Sequence, residues 1–367
     1  MPNPLAEHKI AAVRTRTLRA RYPRVIGRNA RLGGHGKGPT TQIRELETDQ
    51  GARGWGFSWT PPERTPDLVG RRVSELFHPA YGVIAPEAMP FDFPLHDLAG
   101  VILGEPVWRM LGGWGPRDLM AYDGAIYMDD LDPEDSPRGL PAVLENCAQD
   151  YDLGYRAFKL KIGRGNRWMT PDAGLRRDIE VTRAVREAYP DAPLLVDPNN
   201  GYSCDAFLRY LREVGDCKLF WVEEPFHEMD HDLRRLRAFL EEHSPETLIA
   251  DGEAAYHVPT VLDLAAKGLI DVAIMDICGL GFTAWRRLMP DVLAAGCRTA
   301  PHTWGHPLKT LFVGQLSAGV GACVAAEGVP GTVDGVDSSA YEFAEGTLRM
   351  PESAPGFSLL LEPAPAG

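Results

Sequence analysis

The chain contains 367 residues, 44% of them hydrophobic and 24% charged, which are the proportions of a folded protein rather than a disordered one. Its 38 Lys and Arg against 51 Asp and Glu give a net charge of −13, which argues against a nucleic-acid or anionic-membrane surface and favours a small-molecule substrate. No apolar run is long enough to span a membrane, and the start of the chain, with Glu7 and Lys9, does not resemble a secretory signal, so the expected compartment is the cytoplasm.

The first 118 residues predict a small α+β domain. Strands are predicted at 10–18 and, on either side of a turn at 49–52, at 41–47 and 54–59. Two helices are predicted to follow, over 66–77 and over 93–111, the second ending at a Gly-Gly pair.

A glycine-rich basic loop, 27–38, lies between the first strand and the hairpin. It does not match a phosphate-binding P-loop, because Lys37 is followed by Gly rather than by Ser or Thr. It is either a plain surface loop or a lid. Its glycines and positive charges favour the second interpretation, a lid that covers an anionic substrate. Arg28 and His35 are the substrate-binding candidates in this loop, together with Arg31 and Lys37.

From residue 119 the pattern changes to short apolar strands that alternate with amphipathic helices. Seven or eight such units over roughly 210 residues predict an α/β fold, a closed (β/α) barrel of the TIM type over 119–329. The tail, 330–367, lacks this rhythm and is expected to return to the first domain. The strand candidates are 157–162, 194–197, 219–223, 247–250, 272–274, 298–300 and 323–326.

Ionisable residues stand at the ends of these strands, each 23 to 36 residues after the last, which is about one βα unit. The carboxyl ends of barrel strands converge on one mouth, so we expect these side chains to face one another. They are Lys159 with Lys161, then Asp197, Glu223, Glu253, Asp276, His302 and Glu327.

Three of these residues, Asp197, Glu223 and Glu253, are carboxylates from consecutive units. Hard oxygen ligands of this kind suit Mg²⁺, and without a cation three anions in one pocket would repel. Glu224 competes with Glu223 for this role, because alternation along a strand does not say which of the two points inward.

Two further groups have the chemistry of acids and bases. Lys159 and Lys161 lie on the same face of one strand, where each is expected to lower the pKa of the other. His302 follows Asp276 by one unit, an arrangement in which the carboxylate orients the imidazole. A metal between two bases is suited to removing a proton from the carbon next to a carboxylate.

The chain resembles the mandelate racemase subgroup of the enolase superfamily, whose members use a Lys or His base with magnesium. The motifs that carry this resemblance are KLKIG at 159–163, VDPN at 196–199, VEEP at 222–225, DGE at 251–253, Asp276 and PH at 301–302, with LHDLAG at 95–100, GEPV at 104–107 and LGG at 111–113 upstream.

This resemblance implies a modified TIM barrel with an N-terminal capping domain, and Mg²⁺ on Asp197, Glu223 and Glu253. It implies that Lys161 is a base on one face of the substrate, with Lys159 an electrophilic partner of the substrate carboxylate. His302 with Asp276 would be the base or acid on the other face, and Asn199 and Glu327 would contact substrate. Two features depart from the family pattern: the lid, and an apparent insertion at 164–172. The barrel strand ending at Asp276 carries no lysine, which disfavours the muconate-lactonising and dipeptide-epimerase branch.

The sequence therefore predicts a Mg²⁺-dependent dehydratase of a sugar acid, acting on a small carboxylate and forming a homo-oligomer. The alternatives are a racemase or epimerase of a 2-hydroxy acid, which would use the same residues, and an inactive barrel that binds an anion.

Overall fold

The computed structural model describes residues 3–64 and 67–363, and its N-terminal part is built on an antiparallel sheet. The strands of this sheet are β1 (Ile10–Arg21), β2 (Thr40–Thr48) and β3 (Arg53–Phe57), with a short strand of the tail added beside β1. The strand and hairpin predictions for this region are close to the observed bounds.

The predicted helices of this part are only partly correct. Positions 65 and 66 lie outside the described residues, and of the remainder of 67–77 only α1 (Val73–Leu76) is α-helical. The backbone before it pairs with β1 instead, since Gly70 donates to the carbonyl of Ile10 and Ile10 donates to that of Arg71. Next come β4 (Phe77–His78) and β5 (Gly82–Val83).

The long helix predicted over 93–111 is split in two. It forms α2 (Asp92–Leu103) and α3 (Val107–Met110). Gly104 ends α2 in the left-handed conformation with φ 70°, and Pro106 follows, so the first helix cannot continue.

Eight parallel strands then form the barrel, which confirms the predicted fold class. The ring runs from β6 to β12 in order, β13 pairs with β6, and a bridge between Thr299 and Cys323 closes the remaining gap. The strands are β6 (Asp118–Ile126), β7 (Phe158–Lys161), β8 (Leu194–Asp197), β9 (Leu219–Glu223), β10 (Leu248–Asp251), β11 (Val272–Ala273), β12 (Arg298–Thr299) and β13 (Ala326–Gly328). The helices are α4 (Leu140–Asp152), α5 (Pro171–Ala188), α6 (Cys204–Glu213), α7 (Asp230–His243), α8 (Val258–Ala266), α9 (Ile277–Ala294) and α10 (Pro307–Val320).

Two barrel strands differ from the prediction. β6 is absent from the predicted strands, because Asp123 and Gly124 interrupt its apolar pattern. β13 begins at Ala326 rather than at Cys323, which instead forms the isolated closing bridge to Thr299. The other barrel strands lie within one residue of their predicted bounds at each end.

The tail contacts both parts of the molecule. Its strand β14 (Thr332–Val333) pairs with β1, and its strand β17 (Thr347–Arg349) pairs with β6. The other short strands of the tail are β15 (Val336–Asp337), β16 (Glu342–Ala344) and β18 (Leu360–Leu361). The division into domains at 118/119 and 329/330 stays a prediction.

Four phenylalanines fix the N-terminal part against the barrel. Phe93 of α2 lies 5.2 Å from Phe282 of α9 and 4.9 Å from Phe312 of α10, measured between ring centroids. Phe357 of the tail lies 4.6 Å from Phe312. This shared apolar core packs α2 and the tail onto the barrel helices. Within the described ranges, no helix is both long and apolar enough to cross a membrane.

Candidate active site

The polar residues predicted at the strand ends meet at one end of the barrel. Lys159 and Lys161 lie on β7, Asp197 ends β8, Glu223 ends β9 and Glu327 lies on β13. All five side chains are at least 96% buried, so their charges interact in a low-dielectric environment.

Three carboxylates form the centre of this cluster. One oxygen from each of Asp197, Glu223 and Glu253 lies within 4.8 Å of the others. Glu224 points elsewhere: its Oε1 accepts from the backbone N–H groups of Glu253, at 3.1 Å, and of Ala254, at 2.6 Å. The structure thus brings Glu223 into the triad and uses Glu224 to hold the loop that carries Glu253.

The triad fits a hard divalent cation. Among the described residues, Oε2 of Glu253 is buried without a hydrogen-bond partner. Burial raises the pKa of Glu223 to about 8, and the pull of Lys159 in the opposite direction does not compensate. A set of three carboxylates with an unsatisfied oxygen, in a place where burial penalises their charge, is a donor set that Mg²⁺ prefers.

The two lysines are paired with the carboxylates. Lys159 Nζ lies 2.6 Å from Oε1 of Glu223 and 2.7 Å from Oε1 of Glu327, and Lys161 Nζ donates to Oδ2 of Asp197. Although burial favours the neutral amines, Glu223 and Glu327 raise the pKa of Lys159 well above its usual value, and Asp197 raises that of Lys161. The expected mutual lowering of the lysine pKa values is outweighed by these carboxylates.

His302 and Asp276 form the expected dyad. His302 Nδ1 lies 2.8 Å from Oδ2 of Asp276, so the carboxylate assigns the proton to Nδ1 and leaves Nε2 toward the triad, 3.3 Å from Oε1 of Glu253. Although burial opposes it, Glu253 and Glu327 raise the pKa of His302, which favours the protonated form that can act as an acid.

Lys309 contacts Asp276 of the dyad, and it is not among the site residues predicted from the sequence. Its Nζ donates to Oδ2 of Asp276 at 2.6 Å and to the carbonyl of Trp304 at 3.2 Å. Despite burial, His302 and Lys309 hold the pKa of Asp276 well below its usual range. Lys309 lies in the first turn of α10, a place where a sequence gives no signal of contact with the preceding strand ends.

Glu327 connects the lysine side of the site to the histidine side. Its Oε2 accepts from the backbone N–H groups of Thr303, at 2.8 Å, and of Trp304, at 2.9 Å, while its Oε1 pairs with Lys159. Asn199, the other predicted substrate contact, donates from its backbone N–H to Oδ1 of Asp197 at 2.7 Å. Both residues therefore lie beside the triad.

The two lid candidates are placed differently. Arg28 pairs with Asp132, and its guanidinium lies 4.6 Å from the ring centroid of Trp168, so its charge is already balanced away from the triad. His35 reaches further inward, with its ring 4.7 Å from that of Tyr127. The substrate-binding role of each stays a prediction.

The segment predicted to be an insertion, 164–172, contacts the lid. Trp168 donates from Nε1 to the carbonyl of Asn29 at 2.6 Å, and Asn166 donates from Nδ2 to that of Ala30 at 2.9 Å. Arg164 anchors this segment, fully buried between two carboxylates. The 27–38 loop is thus held against the barrel mouth by side chains of the barrel, and its role as a lid stays a prediction.

Comparison with known proteins agrees with this geometry. A family model described as enolase C-terminal domain-like matches residues 142–364. A crystal structure of a mutant galacturonate dehydratase from Geobacillus sp., complexed with Mg, has a TM-score of 0.91 and 31% identity to this chain, covering 97% of this chain and 94% of that one. A crystal structure of galacturonate dehydratase from Geobacillus sp., complexed with D-galacturonate and 5-keto-4-deoxy-D-galacturonate, has a TM-score of 0.87 and 32% identity, covering 97% and 95% of the two chains. Among curated proteins, the D-galactarolactone cycloisomerase of Agrobacterium fabrum is 24% identical over 301 residues, which are 75% of this chain and 74% of the relative.

Proposed function

We propose that this chain, which belongs to the enolase C-terminal domain-like family, is a magnesium-dependent hydro-lyase that dehydrates a sugar acid. The predicted resemblance to the enolase superfamily is confirmed by the family match. The observation that carries the proposal is a largely buried carboxylate triad with a lysine pair on β7 and a His–Asp dyad on the opposite side of the barrel.

The proposed substrate is a small polyhydroxy carboxylate of the hexuronate or aldonate class. This is supported by the galacturonate dehydratase of Geobacillus sp., which is similar to this chain over nearly its whole length. The cytoplasmic location and the homo-oligomeric state stay predictions.

Asp197, Glu223 and Glu253 would hold Mg²⁺, which would balance their charge and attract the negative charge that develops on the substrate carboxylate. Lys159 would contact that carboxylate from the side of Glu223 and Glu327. Asn199 would contact the substrate beside Asp197.

In the proposed elimination, Lys161 acts as the base in its neutral form, which Mg²⁺ on Asp197 would favour by countering the carboxylate that raises the pKa of Lys161. Neutral Lys161 removes the proton from the carbon next to the carboxylate. The electron pair of that C–H bond forms a C=C bond to the β-carbon, and the β-hydroxyl leaves with a proton from Nε2 of His302, as water. The enol that remains gains a proton on the β-carbon, loses its O–H proton, and becomes a 2-keto-3-deoxy acid, numbered from the carboxylate. Asp276 keeps His302 in the orientation that presents Nε2.

The alternative is a racemase or epimerase of a 2-hydroxy acid, in which a second base returns the proton to the same carbon. The experiment that separates the two incubates the Mg²⁺-loaded protein with D-galacturonate, D-galactonate, D-gluconate, D-xylonate and tartrate, and with D-lactate, which lacks a β-hydroxyl. Keto products are followed by ¹H NMR and racemisation by chiral chromatography. We expect an α-keto acid from at least one sugar acid, and no product after chelation of the metal. Racemisation of a 2-hydroxy acid that lacks a β-hydroxyl, without keto product from any sugar acid, would overturn the proposal.

A variant tests the division of roles. His302→Asn should abolish loss of water, while exchange of the α-proton with deuterated water continues if Lys161 is the base. His231→Asn, at an exposed histidine of α7, is the matched control and should retain full activity. Loss of both exchange and elimination in His302→Asn would assign the proton abstraction to the dyad instead.

A further inference from the structure

Tyr127 carries a buried hydroxyl that the proposed chemistry does not use. It follows β6 directly, at the barrel end where Lys161 lies on the adjacent strand, and it is 1% exposed. Within the part of the chain that the structure describes, its hydroxyl has no hydrogen-bond partner. Because buried hydroxyls in proteins are nearly always paired, an orphan group beside an active site indicates a partner that arrives with the ligand.

The ring of Tyr127 is fixed by its neighbours. It lies 4.7 Å from the ring of His35 and 4.9 Å from that of Trp304, and Lys161 Nζ is 5.5 Å from its centroid. Charges of the cluster, foremost that of Glu327, act on its hydroxyl. The rings of His35 and Trp304 therefore hold the Tyr127 hydroxyl at the edge of the site.

Tyr127 and His35 together offer one donor and one acceptor. Burial and the nearby carboxylates keep the pKa of Tyr127 well above its usual value, so its hydroxyl stays protonated. His35 Nδ1 lies 2.7 Å from the carbonyl of Gly27, which only accepts, so Nδ1 carries the proton and Nε2 a lone pair. Burial lowers the pKa of His35, which keeps this ring neutral. An alcohol group, which both accepts and donates, matches this pair.

We propose that Tyr127 is a specificity-determining residue whose phenolic O–H donates a hydrogen bond to a substrate hydroxyl beyond the β-carbon, with His35 Nε2 as the acceptor from that hydroxyl. The distal end of the substrate is assigned to this pair because His35 belongs to the lid, at the outer side of the site, whereas the reacting carbons lie between Lys161 and His302. The inference rests on the proposed function, since it takes a polyhydroxy acid as the ligand.

The test compares the wild type with Tyr127→Phe, which removes only the hydroxyl. Tyr210→Phe is the matched control, because Tyr210 is also fully buried but its hydroxyl bonds to Thr182 at 2.7 Å, away from the site. Binding to the Mg²⁺-loaded proteins is measured by isothermal titration calorimetry and turnover by ¹H NMR. The probes are the member of the sugar-acid panel that the wild type binds most tightly and D-glycerate, which has no hydroxyl beyond the β-carbon.

We expect Tyr127→Phe to weaken binding and lower kcat/KM for the sugar acid by roughly 10-fold, with at most a twofold change for glycerate and no change in Tyr210→Phe. Equal losses on both acids, or no loss on the sugar acid, would overturn the inference. If the wild type binds the sugar acid through Tyr127 but forms no keto acid, the proposed dehydratase function fails while this inference stands. Absence of binding by the wild type to every acid of the panel would overturn both.

Discussion

Replacing Glu253 by Gln tests the metal site with the least change in shape. The substitution keeps the side-chain volume and removes one charge from a triad whose oxygens lie within 4.8 Å of one another. At that separation two unit charges repel by about 3.5 kcal/mol for an effective dielectric constant of about 20. Lys159 and Lys161 already offset the charges of Glu223 and Asp197, so the substitution relieves little of this repulsion. The stabilising contact of Glu253 with His302 at 3.3 Å is lost in exchange, so the two effects oppose each other. We therefore expect the metal-free variant to melt within about 2 °C of the metal-free wild type.

The effect of Mg²⁺ should differ strongly between the two proteins. At a free concentration 100 times its Kd, Mg²⁺ stabilises the wild type by about 2.7 kcal/mol. Unfolding entropy of about 2.1 cal/mol/K per residue gives roughly 0.8 kcal/mol/K for a chain of this length, so the melting temperature should rise by about 3.5 °C. If the neutral amide weakens the site about 100-fold, the same concentration stabilises the variant by only about 0.4 kcal/mol, or about 0.5 °C.

The assay is thermal unfolding by circular dichroism of chelator-treated protein, with and without Mg²⁺, together with turnover of the sugar-acid panel. Glu241→Gln, at an exposed position of α7, is the matched control and should keep the full shift. A full shift in Glu253→Gln, or full activity of the metal-stripped wild type, would refute the assignment of the triad to a metal.

Three further outcomes are expected. Lys309→Met should lower kcat by about 10-fold with little change in KM, because Asp276 loses a largely buried cation at 2.6 Å. Lys309→Arg should restore much of the lost kcat. An unchanged kcat in Lys309→Met would contradict the role of Lys309. Burial lowers the pKa of His306 to about 4. Between about pH 6.5 and pH 4 this histidine is therefore protonated in the unfolded chain but neutral in the folded protein. Stability is therefore full above about pH 6.5 and falls by about 3 kcal/mol toward pH 4, and His306→Asn should remove this slope in urea titrations at pH 7.5 and 4.5. Proteolysis should cut the exposed Gly33–Gly34 region of the lid, and the bound sugar acid should slow it; equal rates with and without ligand would count against a lid.

The sequence identified the strand ends well because a parallel barrel couples chain spacing to geometry. When strands and helices alternate, every strand delivers its last residues to the same mouth, so Asp197, Glu223 and His302 could be expected to meet before any contact was known. The same regularity placed most barrel strands within a residue of their observed bounds. It did not extend to β6, whose Asp and Gly break the pattern, or to much of the helix predicted over 66–77, where Gly70 and Arg71 form backbone hydrogen bonds with Ile10 of β1 instead.

Only the tertiary structure decided which side chains surround each functional group. Which of the Glu223 and Glu224 side chains points into the triad depends on the backbone turn after β9, where Glu224 has φ 37°. The pKa of Lys159 is set mainly by burial and by Glu223 and Glu327, which come from distant parts of the chain. Lys309 and Tyr127 lie beside the site for the same reason, and no local pattern marks them. Periodicity fixes where a strand ends, but the electrostatic field at that end is a sum over neighbours that only folding brings together.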